Sequence, residues 1–240
     1  NFKLSKSSQE HGCIVWNVTD PMNVTNQLLA NVNPWDCFFK TTSSTLQEFL
    51  VISDFDNAFS PHFVEFVPNQ NIHGSEQPSY IIVAHPNFMS SANRLANYHI
   101  NSTGDNVLVV STEQVYNEFS TGSQDISAIR NLVKMFYDRA ETDNDVPKNL
   151  LLFGDASFDY KNKLYGLTNF VPTYESYASS NIETSYCTDD YFGVLDDGEG
   201  MWNGGLNSNA VYMDLLDIGI GRIPVSNTED AEKFIDKNIV

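Results

Sequence analysis

The chain has 240 residues, 41% hydrophobic and 12% aromatic, with 31 acidic against 13 basic side chains and a formal charge of −18. That much apolar surface offsets the entropy of ordering the chain and excludes a disordered polypeptide. The negative field disfavours nucleic acid and anionic lipid as partners. The absence of any run of about 18 apolar residues excludes a membrane-spanning helix.

The opening NFKLSKSSQEHG lacks the apolar stretch of a signal peptide. From 11 to 72, short runs such as CIVWNVTD, WDCFFKTT, QEFLVIS and HFVEFVP are separated by Pro, Asn, Asp and Ser clusters, the punctuation of strands and turns. They predict a β-rich module over residues 1–75, with the polar stretch NQNIHGSEQPS (69–79) as the crossing into a second part, 76–240.

The pattern then changes. SYIIVAHP is an apolar run of strand length, and Phe88, Ala92, Leu95, Ala96 and His99 follow at helical spacing. NVLVVST predicts a second strand, followed by a short segment, EQVYNEF. Asp125 predicts the N-cap of ISAIRNLVKMFYDRA, whose Ile126, Ile129, Val133, Phe136, Tyr137 and Ala140 share one face. NLLLFGD and LDIGIGRIPV supply a third and fourth strand, and TEDAEKFIDKNIV opens a last helix. Uninterrupted apolar strands alternating with helices imply an α/β fold with a parallel sheet covered on both faces. The sequence lacks an initial Met and stops inside an amphipathic pattern; the expectation is a piece of a longer protein.

Between the third and fourth strands lies an insert, 155–213, rich in Tyr, Asn, Ser, Gly and Asp; irregular stretches of that length are commonly functional. Asp155 stands where a strand should surface, the place where ligands of open parallel sheets bind, and Gly154-Asp155 is equally an ordinary turn. In SYCTDDYFGVLDDGEG, Asp189, Asp190, Asp196, Asp197 and Glu199 could offer oxygens to a hard cation or form a solvated acidic loop; the EF-hand register is absent. GIGRIPV does not complete a dinucleotide fingerprint, and Arg222 is expected to pair with a carboxylate of the insert and fix it to the sheet.

Three cysteines, Cys13, Cys37 and Cys187, show no metal-like spacing, and their odd number leaves one thiol unpaired within a monomer. Cys13 and Cys37 lie in strand-like runs and read as core. Cys187 lies in the better location, the insert, yet His85 and His99 fall at a strand end and on a helix face, which disfavours a Cys187–His85 dyad. No G-x-S-x-G elbow is present, so no complete catalytic set is visible. Sequons at Asn17, Asn23 and Asn101 suit an extracellular protein and also arise by chance in an Asn- and Ser-rich chain.

Taken in order, NQNIHG, SYIIVAHPNF, STEQVYNEFSTGSQDISAIRNLVKMFYDRA, LLLFGDASFDY, VPTYES, TDDYFGVLDD and DIGIGRIPV resemble the first part of the gingipain-type cysteine peptidase domain, family C25, from about residue 12 to the end. The resemblance is nearest to the sortases of the type IX secretion system of Bacteroidetes. It implies a caspase-like α/β catalytic domain of two subdomains, of which this chain supplies the first, preceded by β-rich material. In that family the catalytic histidine sits in a T-G-H-G type motif and the cysteine follows it, both beyond the GRIPV-like strand. The only His-Gly here, His73-Gly74, lies upstream. The resemblance therefore implies no catalytic residue within this chain, a dyad downstream of Val240 and an inert fragment.

It further implies no required cofactor, a possible structural calcium with Asp155, Asp189 and Asp190 as candidate ligands, and a cell-surface site at the outer membrane. Partners would be secreted cargo with C-terminal sorting domains and other secretion components. Two readings compete with it. One is a non-catalytic scaffold docking partners through Tyr174, Tyr177, Tyr186, Tyr191 and Trp202. The other is a calcium-dependent adhesion fragment, whose melting temperature EDTA would lower.

Overall fold

The computed structural model describes residues 2–5, 13–26, 29–33, 35–42, 44–52, 60, 62–63, 66–164, 166, 168–176, 181, 183, 185–197, 199 and 215–239. The chain divides into two compact units, Asn1–Val67 and Pro68–Val240.

The first unit holds six short strands: β1 (Phe2–Ser5), β2 (Ile14–Asn17), β3 (Thr25–Asn26), β4 (Leu29–Val32), β5 (Asp36–Phe39) and β6 (Phe49–Ile52). They form two antiparallel three-stranded sheets, in the orders β1-β5-β4 and β3-β2-β6. Alternation decides what is buried. Cys37 and Phe39 of β5, with Cys13 and Val15 at and beside β2, make a small core against which Leu4 and Phe49 pack. Phe39 lies 5.1 Å from Phe2 and 5.0 Å from Phe49, ring centre to ring centre. Cys13 and Cys37 are thus core residues, as the sequence predicts.

The second unit runs β7 (Tyr80–Ala84), a 3-10 turn (Pro86–Phe88), α1 (Met89–Thr103), β8 (Val107–Ser111), α2 (Thr112–Phe119), α3 (Ile126–Arg139), β9 (Asn149–Phe153), β10 (Tyr174–Glu175), β11 (Cys187–Thr188), a second 3-10 turn (Asp190–Gly193), β12 (Gly219–Ile223) and α4 (Thr228–Asn238). Four strands form one wholly parallel sheet in the order β12-β9-β7-β8, with Ile82 opposite both Val109 and Leu151. Successive residues of the apolar runs feed opposite faces. Ile81, Val83, Leu150 and Leu152 pack with Ile129, Leu132, Val133 and Phe136 of α3, while Ile82, Ala84, Leu151 and Phe153 pack with Ala92 and Leu95 of α1 and Ile235 of α4. The α/β reading and its parallel sheet stand.

Helix ends follow local chemistry. Asp125 caps α3 as predicted, its carboxylate accepting from Ser127 N at 2.8 Å. The segment EQVYNEF, without a helical assignment in the sequence reading, forms α2 because Ser111 and Gln114 make a reciprocal capping box.

The polar stretch 69–79 belongs to the second unit, and the break falls at 67/68, eight residues before the predicted 75/76. Its side chains explain the shift. Ile72 is buried, Gln77 donates to the carbonyls of Phe136 and Asp145, and Arg139 donates to those of His73 and Ser75. Glu118 is the centre of the attachment, accepting from Gln70 Nε2, Ile72 N and His73 N and lying 2.6 Å from His73 Nδ1. Burial alone would raise its pKa; these hydrogen bonds outweigh it and hold the carboxyl at about 2.

A carboxylate with a depressed folded pKa stabilises above its unfolded value and loses that contribution as pH falls. Glu118 should supply about 2–3 kcal/mol near neutrality, lost between roughly pH 4.5 and pH 2. Urea unfolding across that window should show a shallower acid limb for Glu118→Gln; an unchanged limb would refute the attachment.

Candidate functional site

The carboxyl edge of the parallel sheet is where strand-end loops meet, and three segments are bound there around one cation. β9 runs into Gly154, whose φ of +144° suits glycine, and a Cβ there would meet Val171 and Phe170 at 2.9 and 3.0 Å. Gly154 N donates to Ile223 O and Asp155 N to Val225 O, extending the pairing one step past the strands. The carbonyl of Asp155 accepts from Phe170 N and Val171 N, and its carboxylate accepts from Ala156 N at 3.0 Å. Asp155 therefore works as the bracket of the turn.

Arg222, its side chain 12% exposed, rises from β12 into these loops. Its Nε and one terminal nitrogen reach the two oxygens of Asp189 at 2.8 and 2.7 Å. Its other terminal nitrogen donates to Gly154 O at 2.8 Å and Val171 O at 2.6 Å. A bidentate guanidinium–carboxylate pair fixes orientation as well as distance. The predicted tie between Arg222 and the insert is present, and Asp189 is the partner.

Asp189 passes this restraint on. Buried Thr173 places its hydroxyl 2.8 Å from Asp189 Oδ1 and 3.0 Å from Thr188 O. Thr173 leads directly into β10, which pairs antiparallel with β11 so that Glu175 lies opposite Cys187. Glu175 Oε1 is shielded from solvent and has no hydrogen-bond partner among the described residues, and burial pushes its carboxyl up from the usual range. A shielded acceptor left alone costs about 1–3 kcal/mol.

The thiols and imidazoles do not assemble a nucleophile among the described residues. The Cys187 thiol is pushed up by partial burial, then by Glu175 and Asp189, and stays protonated near neutrality. His85 accepts from Asn87 N at the start of the 3-10 turn and packs edge-on against Phe170. Burial lowers its pKa, with Glu113 opposing. His99 packs against Tyr80, and His73 is bound to Glu118.

The proposed calcium ligands do not fit the ion as they are placed. Asp189 spends both oxygens on Arg222, Asp155 turns its carboxylate to the backbone, and Asp190 is exposed. No group of three or more His, Cys, Asp or Glu side chains that could hold a metal occurs among the described residues, and hard cations need several converging oxygens.

The acidic stretch itself needs correction: Tyr191, Phe192, Gly193, Val194 and Leu195 are buried, while Asp190, Asp196 and Asp197 on either side face water. Phe192 and Leu195 join the core beneath α3, and Arg130 donates twice to Val194 O while its guanidinium lies over the Tyr191 ring. Of the five aromatics proposed for docking, Tyr191 is core, Tyr174 is half-buried and Tyr186 is exposed. Tyr177 and Trp202 lie outside the described residues. Thr173 and Glu175 carry no spacing signal in VPTYES, and only folding reveals them.

Comparison with known proteins adds a family. The family model described as Peptidase family C25 matches residues 73–240. Among solved structures, the crystal structure of dimeric latent PorU from Porphyromonas gingivalis is similar over 99% of this chain, at 32% identity and a TM-score of 0.77. This chain spans 22% of that one. No curated protein matches.

Proposed function

Because this chain belongs to Peptidase family C25, a family of cysteine peptidases, we propose that it forms the supporting half of a PorU-like endopeptidase and sortase. The whole protein would remove the C-terminal sorting domain of type IX secreted cargo at the cell surface, beside other secretion components at the outer membrane, and join the product to a surface glycolipid. The thiol and imidazole come from polypeptide beyond Val240, and the chain alone is inert. In the whole enzyme the thiolate attacks the scissile carbonyl, the imidazole manages the protons and backbone amides hold the oxyanion. The acyl-enzyme then passes to water or to an amine.

The family match over residues 73–240 carries this reading. No described helix is long and apolar enough to cross a membrane.

The test uses the full-length protein and a purified cargo bearing a sorting domain. Cleavage should stop when the downstream cysteine is changed to alanine or blocked by iodoacetamide. Cleavage untouched by thiol modification overturns the reading. Cys187→Ser should cleave within about twofold of wild type, because partial burial and the neighbouring Glu175 and Asp189 keep its thiol protonated; a loss above tenfold, read as initial rate, would make Cys187 the nucleophile instead.

A further inference from the structure

We propose that residues 156–164 of the insert form a docking loop for an acidic peptide segment, one that carries carboxylates beside an aromatic or aliphatic side chain. This stands apart from the peptidase reading and starts from how the loop is built. The carbonyl of Asp155 accepts from Phe170 N and Val171 N, so the segment leaves and returns at one point of the sheet edge. Compact loops with joined ends are commonly functional. Buried Asn169 braces the inside: its Oδ1 accepts from Ser157 N, and its backbone N–H donates to Asn162 Oδ1 at 2.6 Å. Asn162 takes a φ of +50°, a left-handed turn that asparagine tolerates. Tyr160 and Gln124 exchange hydrogen bonds, hydroxyl to carbonyl at 3.2 Å and amide to carbonyl at 2.7 Å, which clamps the loop to the residue before the α3 cap.

This braced frame presents apolar and cationic groups together. Phe158 is 68% exposed and Leu164 52%. Lys161 and Lys163 between them are exposed, and neither pairs with a carboxylate among the described residues. The loop's own acids do not neutralise them, because Asp155 turns its carboxylate to Ala156 N and Asp159 to Leu164 N. Other cations are engaged, Arg94 with Glu232 and Asp236, Lys134 with Asp138 and Asp197. In a chain of formal charge −18, this loop is a local exception. Salt screens exposed charges beyond about 8 Å, so a carboxylate at the loop responds to these two lysines more than to the distant surface. A flat anionic membrane would bring the surrounding acidic surface into contact as well, whereas a peptide can touch the loop alone. Beside Lys161, a groove of about 340 Å³ lined by Gln124, Tyr160, Lys161 and Asn162 leaves room for one apolar side chain of the peptide.

The test is fluorescence anisotropy of the full-length protein with a fluorescein-labelled Glu-Glu-Phe-Glu-Glu peptide. Lys161→Gln combined with Lys163→Gln should weaken binding about tenfold, and Phe158→Ser about fivefold. Raising NaCl about tenfold should weaken the wild type several-fold and leave the double lysine variant nearly unchanged. All three side chains are exposed, so melting temperatures should stay within about 1 °C of wild type and exclude misfolding as the cause. Equal binding by wild type and the double lysine variant, or equal binding of a Lys-Lys-Phe-Lys-Lys peptide, would overturn the proposal. So would a wild type that ignores the acidic peptide but associates with itself, or with phosphatidylglycerol vesicles, through these same side chains.

Discussion

Replacing Arg222 by methionine should destabilise the 68–240 unit by about 3–5 kcal/mol, a fall in melting temperature on the order of 10 °C by calorimetry. The size follows from what is stranded. Asp189, its side chain 23% exposed, loses both N–H donors, and three backbone carbonyls lose theirs. Methionine fills the stem's volume but supplies no proton, so an uncompensated carboxylate stays among loop carbonyls. Arg222→Lys should recover part of the loss, since a single ammonium keeps the charge but cannot span the forked pair and the three carbonyls. A change below about 1 kcal/mol for methionine would mean that the loops hold together without the cation.

How much of this the sequence discloses depends on whether an interaction is periodic. The parallel sheet was legible because Ile81–Ala84 and Leu150–Phe153 are apolar at every position, which only burial on both faces explains. The cap at Asp125 and the partner for Arg222 were legible from local chemistry. The shielded Oε1 of Glu175, without a hydrogen-bond partner among the described residues, was not, because no spacing encodes it. The 69–79 stretch misled for a related reason: Asn, Gln, His and Gly compose a linker, yet Gln70, Gln77 and the backbone of Ile72 find partners on α2 and α3, far off in sequence. Composition describes affinity for water, and a satisfied polar segment can be as fixed as an apolar one.

The acidic insert makes that distinction measurable. Phe192→Ala should cost about 3–5 kcal/mol in urea unfolding, because the ring is completely buried and its removal leaves a cavity under α3 that neighbouring Ile129, Leu132 and Leu195 cannot fill without moving. Asp197→Ala, a few residues on, removes a side chain 98% exposed and one surface contact to Lys134, and should change stability by less than about 0.5 kcal/mol. A solvated acidic loop predicts two small effects; an anchored plug predicts one large and one small. The same variant reaches the site by a defined route. Phe192 and Tyr191 sit in the 3-10 turn that immediately follows Asp189, so losing the plug frees the carboxylate that Arg222 holds. Phe192→Ala should therefore lower the cleavage rate of the full-length protein at temperatures where it remains folded, and Asp197→Ala should not. Equal rates for the two, with the large stability difference intact, would separate the plug's packing from the placement of Asp189 and confine it to the core.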